Sequence, residues 1–174
     1  MSLRFGTDGL RGAANRELTA EVAVALGRAA AMVLTESDWF IGWDTRISST
    51  MLAAGFGAGL ASAGRDLTQL GGVPTAGVAF VCRNHGRPGA MVTASHNPYV
   101  DNGIKIFGAN GQKLSDDVER RIEELLRQAL DGSLAVDPPA RTGEIRWTAP
   151  PAVRAEYRDW LTGRARLVDA SGLR

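Results

Sequence analysis

Apolar positions recur along the chain at two spacings. Val22, Leu26, Ala29, Ala30 and Val33 fall three or four residues apart, the period of one helix face. Thr19 precedes them as an N-cap, with Glu21 in the first turn, where the helix dipole favours negative charge. Trp39-Phe40-Ile41-Gly42-Trp43 is a continuous apolar run, as in a strand covered on both faces. A second helix is predicted from about 50 to 62, capped by Ser49 and rich in Ala and Gly, small enough to lie close to a sheet. Asp66–Leu70 reads as a strand, and Pro74 sits at the start of a short helix reaching about Arg83, a position proline favours. Gly89–Val92 is a strand, and Gly103–Phe107 alternates weakly and should pair beside it, with Asn102-Gly103 read as a tight turn. Ser115 caps the clearest helix, whose stripe is Val118, Ile122, Leu125, Leu126 and Ala129. Asp116/Arg120, Asp117/Arg121 and Glu123/Arg127 are spaced as i,i+4 pairs on its wet face. A loop over 131–141, a strand near Gly143–Trp147, a helix near 151–161 and a tail without a clear element complete the chain. Strands alternating with helices indicate an α/β sandwich.

Length and composition narrow this further. The 174 residues suit one domain, or one with a small appendage. With 20 Lys+Arg against 19 Asp+Glu, no basic excess exists for neutralising nucleic-acid phosphates. No run approaches the roughly 18 apolar residues of a membrane span, and no signal-peptide core opens the chain. The single cysteine, Cys82, excludes an internal disulfide and reads as a buried small hydrophobe. These features fit a reduced, cytoplasmic setting. Glycine is in excess at 21 residues, as tight turns and loops close to a ligand require.

Ligands of α/β folds gather at loops beyond strand carboxyl ends. Four loops carry polar groups just after an apolar run: Thr7–Arg11, Asp44–Ser49, Gly71–Thr75 and Thr93–Asp101. Ser95 stands in the last, followed by His96, without the glycines of a hydrolase elbow. Neighbouring side chains of an extended loop point apart, so Ser95 and His96 are not expected to form a dyad. By itself the loop also reads as a turn that Ser95 and Asn97 cap before Pro98. Lys105, alone, reads as a solvated strand lysine; beside the Ser95 loop it could act as a proton donor or acceptor. Arg11, on a Gly-rich loop, suits bidentate phosphate contact or plain surface charge. Asp44 and Arg46 could pair and hold a loop in shape. No residues have metal-ligand spacing, and no nucleotide-binding glycine motif occurs.

Taken together, Phe5-Gly6-Thr7-Asp8-Gly9-Leu10-Arg11-Gly12, Asp44-Thr45-Arg46-Ile47-Ser48, Gly72-Val73-Pro74-Thr75, Thr93-Ala94-Ser95-His96-Asn97-Pro98 and Asn102-Gly103-Ile104-Lys105-Ile106-Phe107 come in an order that resembles the α-D-phosphohexomutases over nearly the whole chain. The opening octapeptide is most similar to the bacterial branch acting on glucosamine phosphates. Trp43, and Ala76-Gly77 after Thr75, depart from the family pattern.

The resemblance implies a three-layer α/β/α sandwich with a mixed, mostly parallel sheet. It implies a catalytic phosphoserine domain over 1–150, with 151–174 as a connecting helix and the lead-in to an absent second domain. Ser95 would carry the phosphoryl group that interconverts glucosamine 6-phosphate and 1-phosphate through a 1,6-bisphosphate, with other hexose phosphates as alternative substrates. Lys105 would be the general acid/base, Arg11 a positive group beside the phosphoryl, and His96 part of the same mouth. Thr7, Asp8, Gly9, Thr93, Asn97, Asn102, Gly103, Asp44 and Arg46 would support substrate and loops. Mg2+ would bind a phosphate oxygen on Ser95 together with three aspartates outside this sequence, and a hexose 1,6-bisphosphate would prime the serine. Domains II to IV are expected as missing partners, without which this domain could not complete the reaction; a homodimer is compatible with the resemblance. A non-enzymatic phospho-acceptor module is the other class of function.

Overall fold

The structure is a computed structural model that describes residues 5–6, 9–135 and 139–165. Seven strands form one sheet: β1 (Phe5–Gly6), β2 (Gly9–Ala13), β3 (Asp38–Trp43), β4 (Asp66–Gly72), β5 (Gly89–Val92), β6 (Asp101–Phe107) and β7 (Ile145–Arg146). Five helices pack on it: α1 (Ala20–Val33), α2 (Ser49–Ser62), α3 (Thr75–His85), α4 (Asp116–Leu130) and α5 (Pro151–Ala165). The strand order is β1-β2-β6-β5-β3-β4-β7. β5, β3, β4 and β7 pair in parallel, and β5/β6, β6/β2 and β2/β1 pair antiparallel. β2 therefore runs with the parallel group, and only β1 and β6 oppose it. The mixed, mostly parallel sandwich is what the family resemblance implied.

Two cores form because strand side chains alternate between faces. Trp39, Ile41, Ala90, Val92, Ile104 and Ile106 join α1, α2 and α4 in one. Phe40, Met91 and Phe107 join Val78, Val81 and Cys82 of α3 in the other, with Val153 of α5 packed against it. β3 is thus covered on both faces, as its unbroken apolar run required. Burial pushes the Cys82 thiol up to about 12. Tyr157 and Trp160 of α5 pack on Phe80 of α3, with ring centroids 5.6 and 5.2 Å away. No described helix is long and apolar enough to cross a membrane.

Several local expectations are corrected. Asn102-Gly103 is not a turn: both residues lie inside β6, opposite Gly12 and Arg11 of β2. Non-local pairing overrides the dipeptide's local preference. For the same reason Gly9–Ala13 is a strand, so Arg11 stands on a sheet and not on a loop. Thr19 does cap α1, accepting from the Val22 N–H at 3.3 Å. Ser49, in contrast, is no cap; it lies inside α2 and is fully buried. The α2 glycines serve mostly a neighbouring helix. A Cβ at Gly59 would run into the Val24 carbonyl of α1, and one at Gly27 of α1 into that of Phe56. Only Gly57 meets the sheet, against Leu67. On α4, Arg120 pairs with Asp117 and Arg121 with Glu124, one turn apart by three residues and not four.

Candidate functional site

Parallel strands end at one edge of a sheet, and there the chain turns polar. Asp44 follows β3, Thr93 follows β5, and β6 begins at the same edge with Asp101. The Thr93–Val100 loop is stapled to β2 by the Ala14 N–H, which donates to the Val100 carbonyl at 3.0 Å.

Arg46 organises the loop. A guanidinium has five N–H donors, and all five are used here. Nε donates to Asp44 Oδ2 (3.0 Å), one terminal nitrogen to the carbonyls of Pro98 (2.6 Å) and Asp101 (3.1 Å), and the other to those of Ser95 (2.9 Å) and Asn97 (2.9 Å). Arg46 is only 8% exposed. A loop whose carbonyls have no ladder partners receives its donors from one side chain. Asp44 accepts from the Ser49 hydroxyl (2.6 Å), the Arg46 amide (3.0 Å) and the Thr93 hydroxyl (2.7 Å) as well. Burial pushes its carboxyl upward, but these hydrogen bonds outweigh that and hold the pKa below the ordinary carboxylate value.

The loop turns at Ser95, which adopts φ 55°, in the left-handed region that a serine rarely enters. Its N–H donates to Thr93 Oγ1 at 3.0 Å, and the Asn97 N–H closes a turn onto the Ala94 carbonyl at 3.0 Å. Ala94 is buried beneath, whereas Ser95 and His96 are exposed. The turn also corrects the expectation that the Ser95 and His96 side chains point apart. The loop is not extended there, and Ser95 Oγ lies 3.3 Å from His96 Nδ1.

Arg11 reaches the loop from β2 and donates to Asn97 Oδ1 at 3.1 Å; Asn97 Nδ2 in turn donates to Asp101 Oδ2 at 3.2 Å. Lys105 lies between Ile104 and Ile106, so it projects to the opposite face, half-buried, with Nζ 5.9 Å from the Phe107 ring centre. Its strand is tied to the loop because the Thr93 N–H donates to the Gly103 carbonyl at 2.9 Å. Glycine is required at Gly9 and Gly103: a Cβ at Gly9 would strike the Ile104 carbonyl, and one at Gly103 would sit 2.8 Å from the Thr93 carbonyl. Asn102 is fully buried and donates to Ser48 and Ser49, each at 2.9 Å.

Ser95, His96, Arg11, Thr93, Asn97, Asp44, Arg46, Asn102 and Gly103 are thus joined in one hydrogen-bonded region, with Lys105 on the same β6. Thr7 and Asp8 lie outside the described residues, as does the Leu167–Arg174 tail. Gly71–Thr75 ends on the same edge, but no hydrogen bond among the described residues links it to the Ser95 loop. The sequence placed Ser48, Ser49 and Tyr99 in candidate loops but gave them no role in holding the site. The Tyr99 hydroxyl accepts from the Ile47 N–H at 2.9 Å and donates to the Thr45 carbonyl at 3.3 Å. Small polar residues just after Asp44-Thr45-Arg46 were the available signal for the serines.

Residues 2–131 match the family model for phosphoglucomutase/phosphomannomutase, alpha/beta/alpha domain I. The chain belongs to the phosphoglucomutase/phosphomannomutase family. It is 49% identical over 144 residues to a phosphoglucosamine mutase of Desulforamulus reducens, covering 80% of this chain and 32% of that protein. A phosphoglucosamine mutase of Caldicellulosiruptor bescii is 51% identical over 131 residues, covering 72% of this chain and 29% of that protein. The chain therefore spans about a third of the length of these curated relatives. Among solved structures, a phosphoglucomutase/phosphomannomutase family protein from Burkholderia thailandensis superposes with TM-score 0.74 at 26% identity, over 94% of this chain and 36% of that one. The fold is that of domain I of this phosphohexomutase family.

Proposed function

We propose that this chain is the phosphoserine-bearing domain of a phosphoglucosamine mutase. Ser95 carries a phosphoryl group, gives it to glucosamine 6-phosphate or 1-phosphate, and regains one from the resulting 1,6-bisphosphate. The observation that supports this best is an exposed serine fixed in a left-handed turn, its carbonyl taking a hydrogen bond from buried Arg46 and its N–H giving one to Thr93 Oγ1. Phosphoryl transfer makes little demand on covalent chemistry and much on alignment. Here the Arg46 guanidinium and Thr93 Oγ1 hold both peptide groups of Ser95. The sugar hydroxyl oxygen bonds to phosphorus as the P–Oγ bond breaks. Lys105, as the free amine, takes the hydroxyl proton, and the ammonium so formed returns that proton, through solvent, to Ser95 Oγ as it leaves. Arg11 supplies positive charge beside the transferring oxygens. The glucosamine branch is preferred because both relatives described above bear that name.

The proposal extends to priming by a hexose 1,6-bisphosphate and to a cytoplasmic location, where phosphorylated sugars are available. It includes Mg2+ in a restricted sense. No three His, Cys, Asp or Glu side chains converge among the described residues, so these residues do not form a cation site by themselves. A phosphate oxygen on Ser95 is the ligand this chain would contribute. The complete reaction is assigned to a polypeptide of the relatives' length.

Intact mass after incubation with glucose or glucosamine 1,6-bisphosphate tests the reading. One phosphoryl group on Ser95, absent from Ser95→Ala, supports it. Equal uptake by Ser95→Ala, or no uptake at Ser95 in any preparation, overturns it. Unequal rates with glucosamine and mannose bisphosphates decide the sugar.

A further inference from the structure

Ser95 and Lys105 sit on different elements, yet a phosphoryl and a proton must move between the same two oxygens. Their separation has to be held to within about 0.5 Å. One tie is the Thr93–Gly103 backbone hydrogen bond. A second runs through side chains and converges on one carboxylate from both sides. From the loop, the Ser95 N–H donates to Thr93 Oγ1 (3.0 Å), and the Thr93 hydroxyl donates to Asp44 Oδ2 (2.7 Å). From the strand, Asn102 Nδ2 donates to Ser49 Oγ (2.9 Å), and the Ser49 hydroxyl donates to Asp44 Oδ1 (2.6 Å). Each hydroxyl spends its one proton on Asp44 and accepts an N–H from its own side. The Asn102 amide cannot rotate freely, since its Oδ1 accepts the Gly103 N–H at 2.8 Å. Ser49 and Asn102 are both fully buried.

We propose that Ser49 is a positioning residue that couples the Lys105 strand to the Ser95 loop through Asp44. This rests on the phosphoserine reading above. Ser49 touches no reacting atom. Its hydroxyl polarises the Asp44 carboxylate from the opposite side to Thr93, and bonds in such a chain strengthen one another. Replacing it with alanine removes a donor from Asp44 and leaves one Asn102 N–H buried without its acceptor. The loop end of the relay then slackens, although Ser49 is not part of the loop.

The test reads the relay separately from the chemistry. In Ser49→Ala, amide hydrogen exchange at Ser95 should accelerate about tenfold or more over amides of the β3 core, and Ser49→Thr should restore it. The rate of Ser95 phosphorylation by a hexose 1,6-bisphosphate should fall by a similar factor, with half-saturation changed less than about threefold. Ser49→Cys keeps the size and weakens the hydrogen bonds, and it replaces Ser49→Ala if that variant does not fold. Ser95 exchange that stays unchanged, or rises only in parallel with the β3 core, overturns the proposal and leaves Ser49 a packing residue. If the wild-type chain takes up no phosphoryl group, the phosphoserine reading fails, while the exchange arm still decides the relay. If exchange responds and phosphorylation does not, the relay has no role in transfer and the proposal is wrong.

Discussion

Ser95 holds a conformation that a side chain disfavours by about 1–2 kcal/mol. Glycine would relieve that strain and lose a similar amount through its freer unfolded state. Ser95→Gly should therefore leave stability within about 1 kcal/mol of wild type in urea denaturation, while phosphoryl uptake disappears. A loss of 3 kcal/mol or more would show that the hydroxyl itself holds the fold. Arg46 behaves oppositely. Lysine has three donors in place of five and no planar fork, so Arg46→Lys abandons at least two of the five acceptors, Asp44 and four carbonyls. The expected cost is about 2–4 kcal/mol, read as a lower urea midpoint. Asp44 contributes to acid sensitivity. Its folded pKa lies below the ordinary 3.8, so its stabilisation is complete above that value and drains away as pH falls through the lower folded one. Asp44→Asn should thus be destabilised most at neutral pH, with the gap to wild type narrowing as pH falls below the ordinary 3.8 and on through the lower folded value. A gap independent of pH would mean that ionisation at Asp44 contributes nothing.

At the scale of elements, α1 and α2 meet backbone to backbone through Gly27, Gly55 and Gly59. Gly59→Ala pushes a Cβ into the Val24 carbonyl and should cost about 3 kcal/mol by overpacking. Gly163 of α5 faces open space, so Gly163→Ala should gain about 0.5–1 kcal/mol from helix propensity. Thermal unfolding separates the two, and equal effects would refute the close-packing account. These elements also show what was legible in the sequence. The α1 stripe, its Thr19 cap and the two-sided β3 run were readable because their causes are local. The β2 strand and the Asn102-Gly103 segment were not, since pairing between residues some ninety positions apart decided them. Ser95 and His96 stood out as candidate site residues, but their approach depends on a left-handed turn that buried Arg46 and half-buried Thr93 enforce. Arg46 was recognised as a loop holder; that it would spend every donor there depended on where four carbonyls fell.

At the scale of the whole molecule, two cores among the described residues back one sheet and leave the edge that carries Ser95 to loops. Cys82 sits inside the smaller core, with its thiol pushed up to about 12. Only opening of that core exposes it. For a domain stable by 5 kcal/mol or more, a thiol reagent should react about a thousandfold or more slowly than with a free cysteine. Urea should accelerate labelling in step with unfolding measured by circular dichroism. Rapid labelling below the transition would reveal that α3 detaches by itself.

The pairing of β2 with β6 also imposes an order on biosynthesis. β3, β4 and β5 can meet as they emerge, but Arg11 has no place to dock until residues 101–107 exist. At roughly 5–20 residues per second, β2 waits about 5–20 s beyond its own synthesis. Arg11 is translated some ninety residues before its partner Gly103, so it is set in position only after the Ser95 loop has been made.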